Sequence, residues 1–307
     1  MQKYMNKKKK NFHIAMYKAK RSKTCYLFLL PYALIFTLFY IVPVVMSICL
    51  SFTYYNVLET PRFIGLRNYI DLFLADDVFL TSVTNTFAIA AITGPLGYLA
   101  SFLFAWFINE LPRYIRAFAV LIFYAPTISG QVYLIWAIMF SGDAYGYVNS
   151  FLMKLGFINE PILWLTDPKY MMPVILLVIL WMSLGTGFLS FVAGLQGVDQ
   201  SQYEAGYVDG VKNRWQELWY ITLPCMKPQL MFGAVMQITS SLSVSQLSID
   251  LVGFPSPNYA GHTILTHLHD FGNVRYELGY ACTIAVVLFC IMLICNVLVQ
   301  KLLRKLG

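Results

Sequence analysis

Six long apolar runs constrain the fold of this 307-residue chain more than any other feature of its sequence. A membrane-spanning helix needs about 20 predominantly apolar residues, and each run reaches that length. Only 12% of the residues are charged, against about 25% in a typical soluble domain, so polar groups could not cover a globular surface. We therefore predict an all-α integral membrane protein. Its six spans are predicted at 26–52, 84–109, 115–140, 171–195, 228–249 and 278–300.

The charges between the spans predict their orientation. The first 23 residues hold nine Lys and Arg and no acidic residue. This is typical of a cytoplasmic tail that binds anionic lipid headgroups and does not favour a nucleic-acid partner. With the N terminus inside, seventeen Lys and Arg fall in inside segments and five in outside loops, which agrees with the positive-inside rule. Both termini are therefore predicted to be cytoplasmic.

Two further expectations concern the organisation of the chain. The first span is too long for a signal-peptide core and no A-x-A cleavage pattern follows it, so we interpret it as an uncleaved signal anchor. We divide the chain into a basic cytoplasmic tail, 1–24, and one membrane domain, 25–307. The loops at 53–83, 141–170 and 251–277 are then extracellular.

The sequence offers no catalytic or cofactor motif. It contains no G-x-x-x-x-G-K-[ST] sequence, no H-E-x-x-H and no paired cysteine spacing among its six cysteines. His262, His267 and His269 lie close together near Asp270, and we expect them to be solvent-exposed loop histidines rather than metal ligands. We predict a chain that is not an enzyme and binds no cofactor or metal itself.

A charged stretch, YEAGYVDGVKNRWQELWYITLP at 203–224, stands out between two apolar spans. Ser201 and Glu204 fit a capping box, which predicts a helix that starts near 202. Gly210 is expected to break this helix into two, and the prolines at 224 and 228 are expected to end the second one.

The charge balance of this stretch points to a protein partner. An apolar stripe recurs at helical spacing; it consists of Val208, Val211, Trp215, Leu218 and Trp219. A helix lying on the inner leaflet is one explanation, but such helices are rich in Lys and Arg. Residues 199–227 carry three Lys and Arg against four Asp and Glu, which favours docking to another protein.

The same stretch resembles the EAA motif, which marks the membrane permease subunits of ATP-binding cassette importers. The match comprises Glu204-Ala205-Gly206, Asp209-Gly210-Val211 and, nine residues later, Ile221-x-Leu223-Pro224. Gly206 and Val211 depart from the usual alanine. The resemblance implies a six-span type I importer permease fold in which residues 202–228, the coupling segment, form cytoplasmic coupling helices between spans 4 and 5. It also implies that these helices insert into a cleft on a separate ATPase, which binds the ATP and Mg²⁺. The residues implied for coupling are Glu204, Ala205, Gly206, Asp209, Gly210 and Val211.

Other stretches resemble the sugar permeases of the maltose and glycerol-phosphate type, and together they cover roughly 26–303. They include Phe63-x-Gly65-Leu66-x-Asn68-Tyr69, Ala193-Gly194-Leu195-Gln196, Gly279-Tyr280-Ala281, and the spaced residues Pro126, Trp136, Phe140, Gly146, Asn149 and Gly156. Gly253-Phe254-Pro255 departs from the Gly-Gly-Pro turn usual in that family.

This second resemblance implies a function and a set of partners. The chain is expected to form half of the translocation pathway of a carbohydrate importer in a bacterial cell membrane. The implied partners are nucleotide-binding ATPase subunits, a second permease subunit that we expect to be a related chain, and an extracellular solute-binding protein. The alternatives are a permease of the same superfamily for a polyol, glycerol phosphate, amino acid or peptide, an autonomous secondary transporter or channel, and a membrane-embedded enzyme.

The fifth span is the most polar and supplies the first candidates for the substrate path. Steps of 4, 4 and 3 place Gln237, Ser241, Ser245 and Ser248 on one helical face, and polar residues in a span usually face the bundle interior or a cavity. Close helix packing by small serines explains the same pattern equally well. Asp250 is expected to be solvated. Further candidates are Gln246 in this span and Tyr124, Gln131, Tyr133 and Trp136 in the third.

Overall fold

The structure is a computed structural model that describes residues 23–306. Most of these residues are helical, and the one sheet in this range is a two-stranded antiparallel hairpin of β1 (Thr53–Tyr54) and β2 (Arg62–Phe63). The predicted all-α class is therefore confirmed. The predicted basic tail lies, but for its last two residues, outside the described residues.

The helices are numerous because several spans are divided. In chain order they are α1 Lys23–Phe36, α2 Val42–Leu50, α3 Arg67–Leu74, α4 Asp77–Asn109, α5 Arg113–Ile128, α6 Leu134–Met139, α7 Tyr147–Lys154, α8 Pro168–Trp181, α9 Thr186–Gln196, α10 Gln200–Val208, α11 Arg214–Glu217, α12 Leu223–Cys225, α13 Lys227–Leu242, α14 Gln246–Val252, α15 Ile264–His269 and α16 Leu278–Leu306. Single π-helical turns occupy Thr37–Ile41, Leu218–Thr222 and Asp270–Val274, and a 3₁₀ turn occupies Pro257–Tyr259.

Four helical stretches within 23–306 are long and apolar enough to cross a membrane: Thr24–Leu50, Asp77–Asn109, Pro168–Gln196 and Leu278–Leu303. They coincide with the first, second, fourth and sixth predicted spans. The second is longer than predicted because Asp76 caps its N terminus, where the carboxylate accepts the amide hydrogen of Phe79 at 2.9 Å.

The third, fourth and fifth predicted spans are not single helices, which corrects the sequence-based boundaries. The fourth is divided at 182–185, between α8 and α9. The third stops at Ile128 because Gly130 adopts a left-handed φ of 62°, and α6 resumes at Leu134. The fifth stops at Leu242 and resumes at Gln246. The backbone carbonyl of Val244, released from helical pairing, accepts the hydroxyl of Thr263 at 2.5 Å.

Helix α4 contributes to all three apolar cores. Phe79 near its start lies in a cluster with Ile264 and Ile284, and Ile89 in its middle lies in a cluster with α8 and α14. Phe102 near its end lies in the cluster around Phe188 and Phe191 of α9. Because interiors are close-packed, α4 is the central rod against which the other helices are fixed.

The first span stands apart from these cores. No residue in the most apolar window of Thr24–Leu50 is buried. Its C-terminal end is attached through the carbonyl of Ser51, which accepts Asn68 Nδ2 and Thr283 Oγ1, both at 3.0 Å. Its large exposed apolar surface is therefore covered by lipid or by another chain.

Candidate functional site

The coupling segment folds as two short helices, α10 and α11, followed by the π-helical turn. Helix α10 begins at Gln200, and its cap is Asp199, whose Oδ1 accepts the amide hydrogen of Ser201 at 3.1 Å. The predicted Ser201–Glu204 capping box is therefore wrong, because the extended backbone at Asp199 places Ser201 inside the helix. Asn213 caps α11 by accepting the amide hydrogen of Gln216 at 2.9 Å.

Gly210 separates the two helices, as predicted, and the geometry explains why the residue is a glycine. Its φ is +94°, a conformation that costs an L side chain roughly 1–2 kcal/mol. The amide of Gly210 donates to Tyr207 O at 3.2 Å, and the amide of Val211 donates to Gly206 O at 2.9 Å. These two bonds form a Schellman motif that ends α10.

The six predicted coupling residues surround this turn. Four of them are exposed: Glu204, Ala205, Asp209 and Gly210. Gly206 is buried, and a Cβ atom there would lie 2.5 Å from Ile221 Cδ1, so a small residue lets α10 approach the π-helical turn. Val211 is half-buried. Their role in coupling stays a prediction, and the turn presents an exposed edge suited to it.

The predicted apolar stripe is not a single buried face. The break at Gly210 divides it, and Leu218 is its one buried member. Val208 is 87% exposed, and Trp215 and Trp219 are also exposed. An isolated helix of this kind would leave large apolar groups in water, so the surface is suited to contact with another molecule.

Glu217 organises the inner side of the segment. Its side chain is almost completely buried, and it accepts Tyr207 OH at 2.5 Å and Arg214 Nη1 at 2.7 Å. Burial opposes ionisation, but these hydrogen bonds outweigh it and lower the pKa of Glu217. The carboxylate thus ties α10 to α11 across the glycine turn.

Two further contacts join the coupling segment to the end of α4. Arg214 Nη2 donates to Glu110 Oε2 at 2.9 Å, and the indole rings of Trp106 and Trp215 lie 5.2 Å apart. The sequence-based reasoning missed Trp106 and Glu110. Their spacing of four residues is the signal of one helical face, but no local pattern links that face to a segment about 100 residues away.

A cavity of about 600 Å³ lies beside this joint. Its polar lining comes from the end of α4, the start of α5 and the coupling segment, and includes Asn109, Glu110, Arg116, Tyr203, Arg214 and Glu217. The charged groups of the segment therefore face a solvent-accessible recess as well as each other.

Two of the predicted path residues lie where α13 meets α4. Gln237 Nε2 donates to Thr93 O at 3.0 Å, and Ser241 Oγ donates to the carbonyl of Ile238 in its own helix at 3.0 Å. Both line a predominantly apolar cavity of about 370 Å³ between α4, α13 and α16. Ser241 is buried.

The single helical face predicted for the fifth span is wrong beyond Ser241, because the break at 243–245 reorients α14. Ser245 stands at the break, and the buried Ser248 donates to Gly261 O at 2.5 Å, which anchors a loop. Gln246 is exposed and donates to Asp250 Oδ1 at 2.8 Å. The structure therefore does not bring the four residues onto one stripe, and their contact with substrate stays a prediction.

The candidates in the third span divide between packing and exposure. Tyr124 is half-buried against the core around Phe191, and Gln131 is exposed at the break. Trp136 packs edge-on against Trp181, with ring centroids 5.5 Å apart. The buried Tyr133 donates its hydroxyl to Asp250 Oδ2 at 2.7 Å. Asp250, expected to be solvated, is therefore a hydrogen-bonded link between α14 and the third span.

The expectation of exposed loop histidines is wrong for two of the three. His262 and His267 are each 2% exposed, because α15 folds back onto the start of α4. His267 Nε2 lies 2.9 Å from Asp76 Oδ2, and His262 Nε2 lies 3.3 Å from His267 Nδ1. We name Asp76, His262, His267 and Tyr280 the histidine cluster; Tyr280 OH also donates to Asp76 Oδ2, at 2.9 Å.

The histidine cluster is an electrostatic unit with two distinct ends. Burial opposes ionisation of Asp76, but hydrogen bonds from His267 and the Phe79 amide outweigh it and lower the pKa of Asp76 to about 2. Burial and the neighbouring His267 lower the pKa of His262 to about 4. His262 Nδ1 has no partner among the described residues, and within 23–306 no group of three or more His, Cys, Asp and Glu side chains could hold a metal ion.

Two residues of the resembling stretches hold loops in place. Asn149 is fully buried, and its amide joins residues 141–164 through several hydrogen bonds. Gly279 lies directly against the backbone of Thr53, so a side chain at 279 would collide with it. These positions therefore have structural roles that their spacing alone did not disclose.

Comparison with known proteins gives a match along nearly the whole chain. Residues 14–306 match the sequence family described as binding-protein-dependent transport system inner membrane component. A probable ABC transporter permease protein of Bacillus subtilis, YesP, is 32% identical over 87% of this chain and 86% of its own. The lactose transport system permease protein LacF of Rhizobium radiobacter is 30% identical over 86% and 88%.

Solved structures show the same fold. A chain of a bacterial ABC transporter that imports the acidic polysaccharide alginate superposes with a TM-score of 0.76, at 23% identity, over 94% of this chain and 98% of the other. A chain of the alginate transporter in complex with its alginate pentasaccharide-bound periplasmic protein gives a TM-score of 0.73 at 25% identity, over 94% and 97%.

Proposed function

Because this chain belongs to the family of binding-protein-dependent transport system inner membrane components, we propose that it is the membrane permease subunit of an ATP-driven carbohydrate importer. The observation that carries this is the family match over residues 14–306. Relatives named as arabinooligosaccharide and lactose permeases align with 90% and 86% of this chain. The chain is a transport component, and ATP is hydrolysed by separate subunits in this family. ATP and Mg²⁺ then belong to a partner.

The exposed turn around Gly210 supports a docking role. It offers two carboxylates, Glu204 and Asp209, beside the protruding Val208. A partner cleft with basic groups at its rim and an apolar floor would complement this edge. The buried Glu217 beneath holds the two helices together, so a force on the turn moves both.

The length of α4 supports the proposed orientation. Its 33 residues extend about 50 Å, whereas the hydrocarbon core of a bilayer is about 30 Å thick. The two ends therefore lie on opposite sides of the membrane. We assign the coupling segment, beside Glu110, to the cytoplasm and the histidine cluster, beside Asp76, to the outside, where a solute-binding protein would dock.

The cargo is a carbohydrate. Relatives are named as arabinooligosaccharide, lactose and sulfoquinovosyl glycerol permeases. These names favour a sugar over an amino acid or peptide. Uptake by proteoliposomes that hold the assembled complex and its solute-binding protein, measured with each of these sugars and with an amino acid mixture, tests the assignment.

Co-purification tests the assembly. The tagged chain, extracted from native membranes in mild detergent, is expected to retain a P-loop ATPase and a second six-span permease, identified by mass spectrometry. Glu204→Lys should weaken retention of the ATPase, whereas Gln202→Lys, in the same helix and also exposed, is the matched control. A chain that purifies alone and supports uptake without ATP would overturn the proposal.

A further inference from the structure

The contacts at the end of α4 carry an inference that rests on the proposed function. Arg214 and Trp215 are consecutive in the coupling segment, and Glu110 and Trp106 are four residues apart on α4. The ion pair at 2.9 Å and the ring contact at 5.2 Å thus form one patch between two elements. We name these four residues the α4 joint.

Stability alone does not explain the α4 joint. The Glu110 and Arg214 side chains are 43% and 60% exposed, and exposed ion pairs stabilise a fold by only about 0–1 kcal/mol. Arg214 is nevertheless fixed in place, because its other nitrogen is bonded to the buried Glu217. The α4 joint therefore adds little to the free energy of unfolding. Its effect is to attach the second helix of the coupling segment, α11, to one specific helix, α4.

That rod reaches the three regions that matter for transport. At its cytoplasmic end α4 meets the coupling segment, in its middle Thr93 O accepts Gln237 Nε2, and at its outer end Asp76 meets His267 and Tyr280. Its packing into all three cores makes independent movement of either end unfavourable. A displacement at Glu110 is then transmitted to the outer loops.

We infer that Trp106 and Glu110 are positioning residues for coupling: through Arg214 and Trp215 they transmit movement of the coupling segment to α4, and through α4 to the histidine cluster on the outer face. The turn around Gly210 receives the motion, and the α4 joint determines which span follows it. The coupling segment and the histidine cluster both contact α4, so α4 is the element through which movement at one site is expected to bias the other.

The test measures coupling separately from assembly. In proteoliposomes with the complete complex, Glu110→Gln combined with Trp106→Ala is expected to lower the sugar taken up per ATP hydrolysed by about fivefold or more, the lower end of typical coupling effects. Stimulation of ATP hydrolysis by the sugar-loaded binding protein should fall in parallel. The amount of ATPase retained should stay unchanged, because the turn around Gly210 is intact. Replacing Glu110→Gln by Glu110→Asp in this double variant keeps the negative charge. The resulting variant should regain at least half of the lost coupling.

The matched control is Glu59→Gln. Glu59 forms an exposed ion pair with Arg62 at 3.4 Å in the β1–β2 loop, outside the α4 joint, and its loss should change neither ratio. Wild-type complex that shows no ATP-driven sugar uptake would refute the proposed function. Wild-type uptake with a double variant of unchanged coupling ratio would refute this inference alone, as would an equal loss in Glu59→Gln.

Discussion

His267 donates its Nε2–H to Asp76 Oδ2 at 2.9 Å, although 191 residues separate the two in the sequence. The donor is assigned by chemistry, because an ionised carboxylate can only accept. His267 Nδ1 then receives the Nε2–H of His262, which leaves His262 Nδ1 as a buried lone pair without a partner among the described residues. Protonation of His262 would put an unpaired charged donor there.

The free energy of unfolding should therefore decrease as the pH is lowered. The pKa of His262 is about 4 when folded and 6.5 as its ordinary value, so between these values the unfolded chain binds a proton that the folded chain does not. The contribution of His262 to the free energy of unfolding is fully present above pH 6.5. It is lost as the pH falls to 4, a loss on the order of 3 kcal/mol at 1.36 kcal/mol per pKa unit. Asp76, with its pKa at about 2 instead of 3.8, adds a loss only below pH 3.8.

Thermal unfolding of the purified chain in detergent, measured from pH 7.5 to 4.5, tests this dependence. His262→Gln should flatten the decline. His269→Gln is the control, since His269 is only half-buried and pairs with Asn273 at 2.9 Å. A decline that is equally steep in His262→Gln would contradict the assignment.

Asn149→Asp should destabilise the loop from 141 to 164 by roughly 3 kcal/mol, because buried polar groups lose their partners. Asn149 Nδ2 donates to the carbonyls of Ser141, Asp143 and Ile162, and its Oδ1 accepts Ile162 N and Trp164 Nε1. A carboxylate would face three carbonyl oxygens. Limited proteolysis and the melting temperature measure the effect, and the exposed Asn159→Asp should leave both unchanged.

Gly210→Asp should leave the protein inserted but uncouple it from the ATPase. The left-handed φ strains any side chain, and the new carboxylate would add a third negative charge to the turn. Substrate-stimulated ATP hydrolysis in the reconstituted complex is the measurement. Gly156→Asp is the matched control, since Gly156 has a φ of +74° with open space around it but lies outside the coupling segment. Equal losses of ATP hydrolysis in both variants would mean that backbone strain, and not the position of Gly210 in the coupling segment, causes the effect.

Ser241→Leu should impair sugar uptake while the ATPase stays bound. Ser241 is buried at the edge of the cavity shared by α4, α13 and α16, so a larger side chain fills that cavity and changes the packing of α13 on α4. Ser245→Leu tests the break itself. Ser240→Leu, on the exposed side of the same turn, is the control. Normal uptake in both Ser241→Leu and Ser245→Leu would mean that these serines only pack.

The sequence predicts the parts of this protein that depend on local patterns. Apolar run length located four helical spans, and the conformational freedom of glycine predicted the break at Gly210. The breaks at 129–133, 182–185 and 243–245 were not predicted, because the apolar content of a run does not show where backbone hydrogen bonding is interrupted. The Val244 carbonyl is satisfied by Thr263, nineteen residues away.

Contacts between residues far apart in the sequence could not be predicted from local patterns. His262 and His267 read as exposed because their surroundings along the chain are polar, yet the first residues of α4 bury them. In the same way Asp250 read as solvated, although Tyr133 reaches it from the third span. In each case the deciding partner is more than 100 residues distant, so no helical or turn periodicity could have named it.

The exposed first span shows that insertion into the bilayer and packing against other helices are separate steps. A span enters a bilayer because its apolar surface leaves water, and it docks later through packing. The 27 residues from 24 to 50 are long and apolar enough to insert. Their most apolar window holds no buried residue, and the span is attached to the bundle at Ser51. Its second half, α2, nevertheless packs along α16, whereas α1 is exposed along its described side chains. The free energy of α1 is therefore mainly that of partition into lipid, and α2 also contributes packing to the bundle. The span is consequently held by the bundle at its second half only, and the exposed face of α1 is left for lipid or a neighbouring subunit to cover.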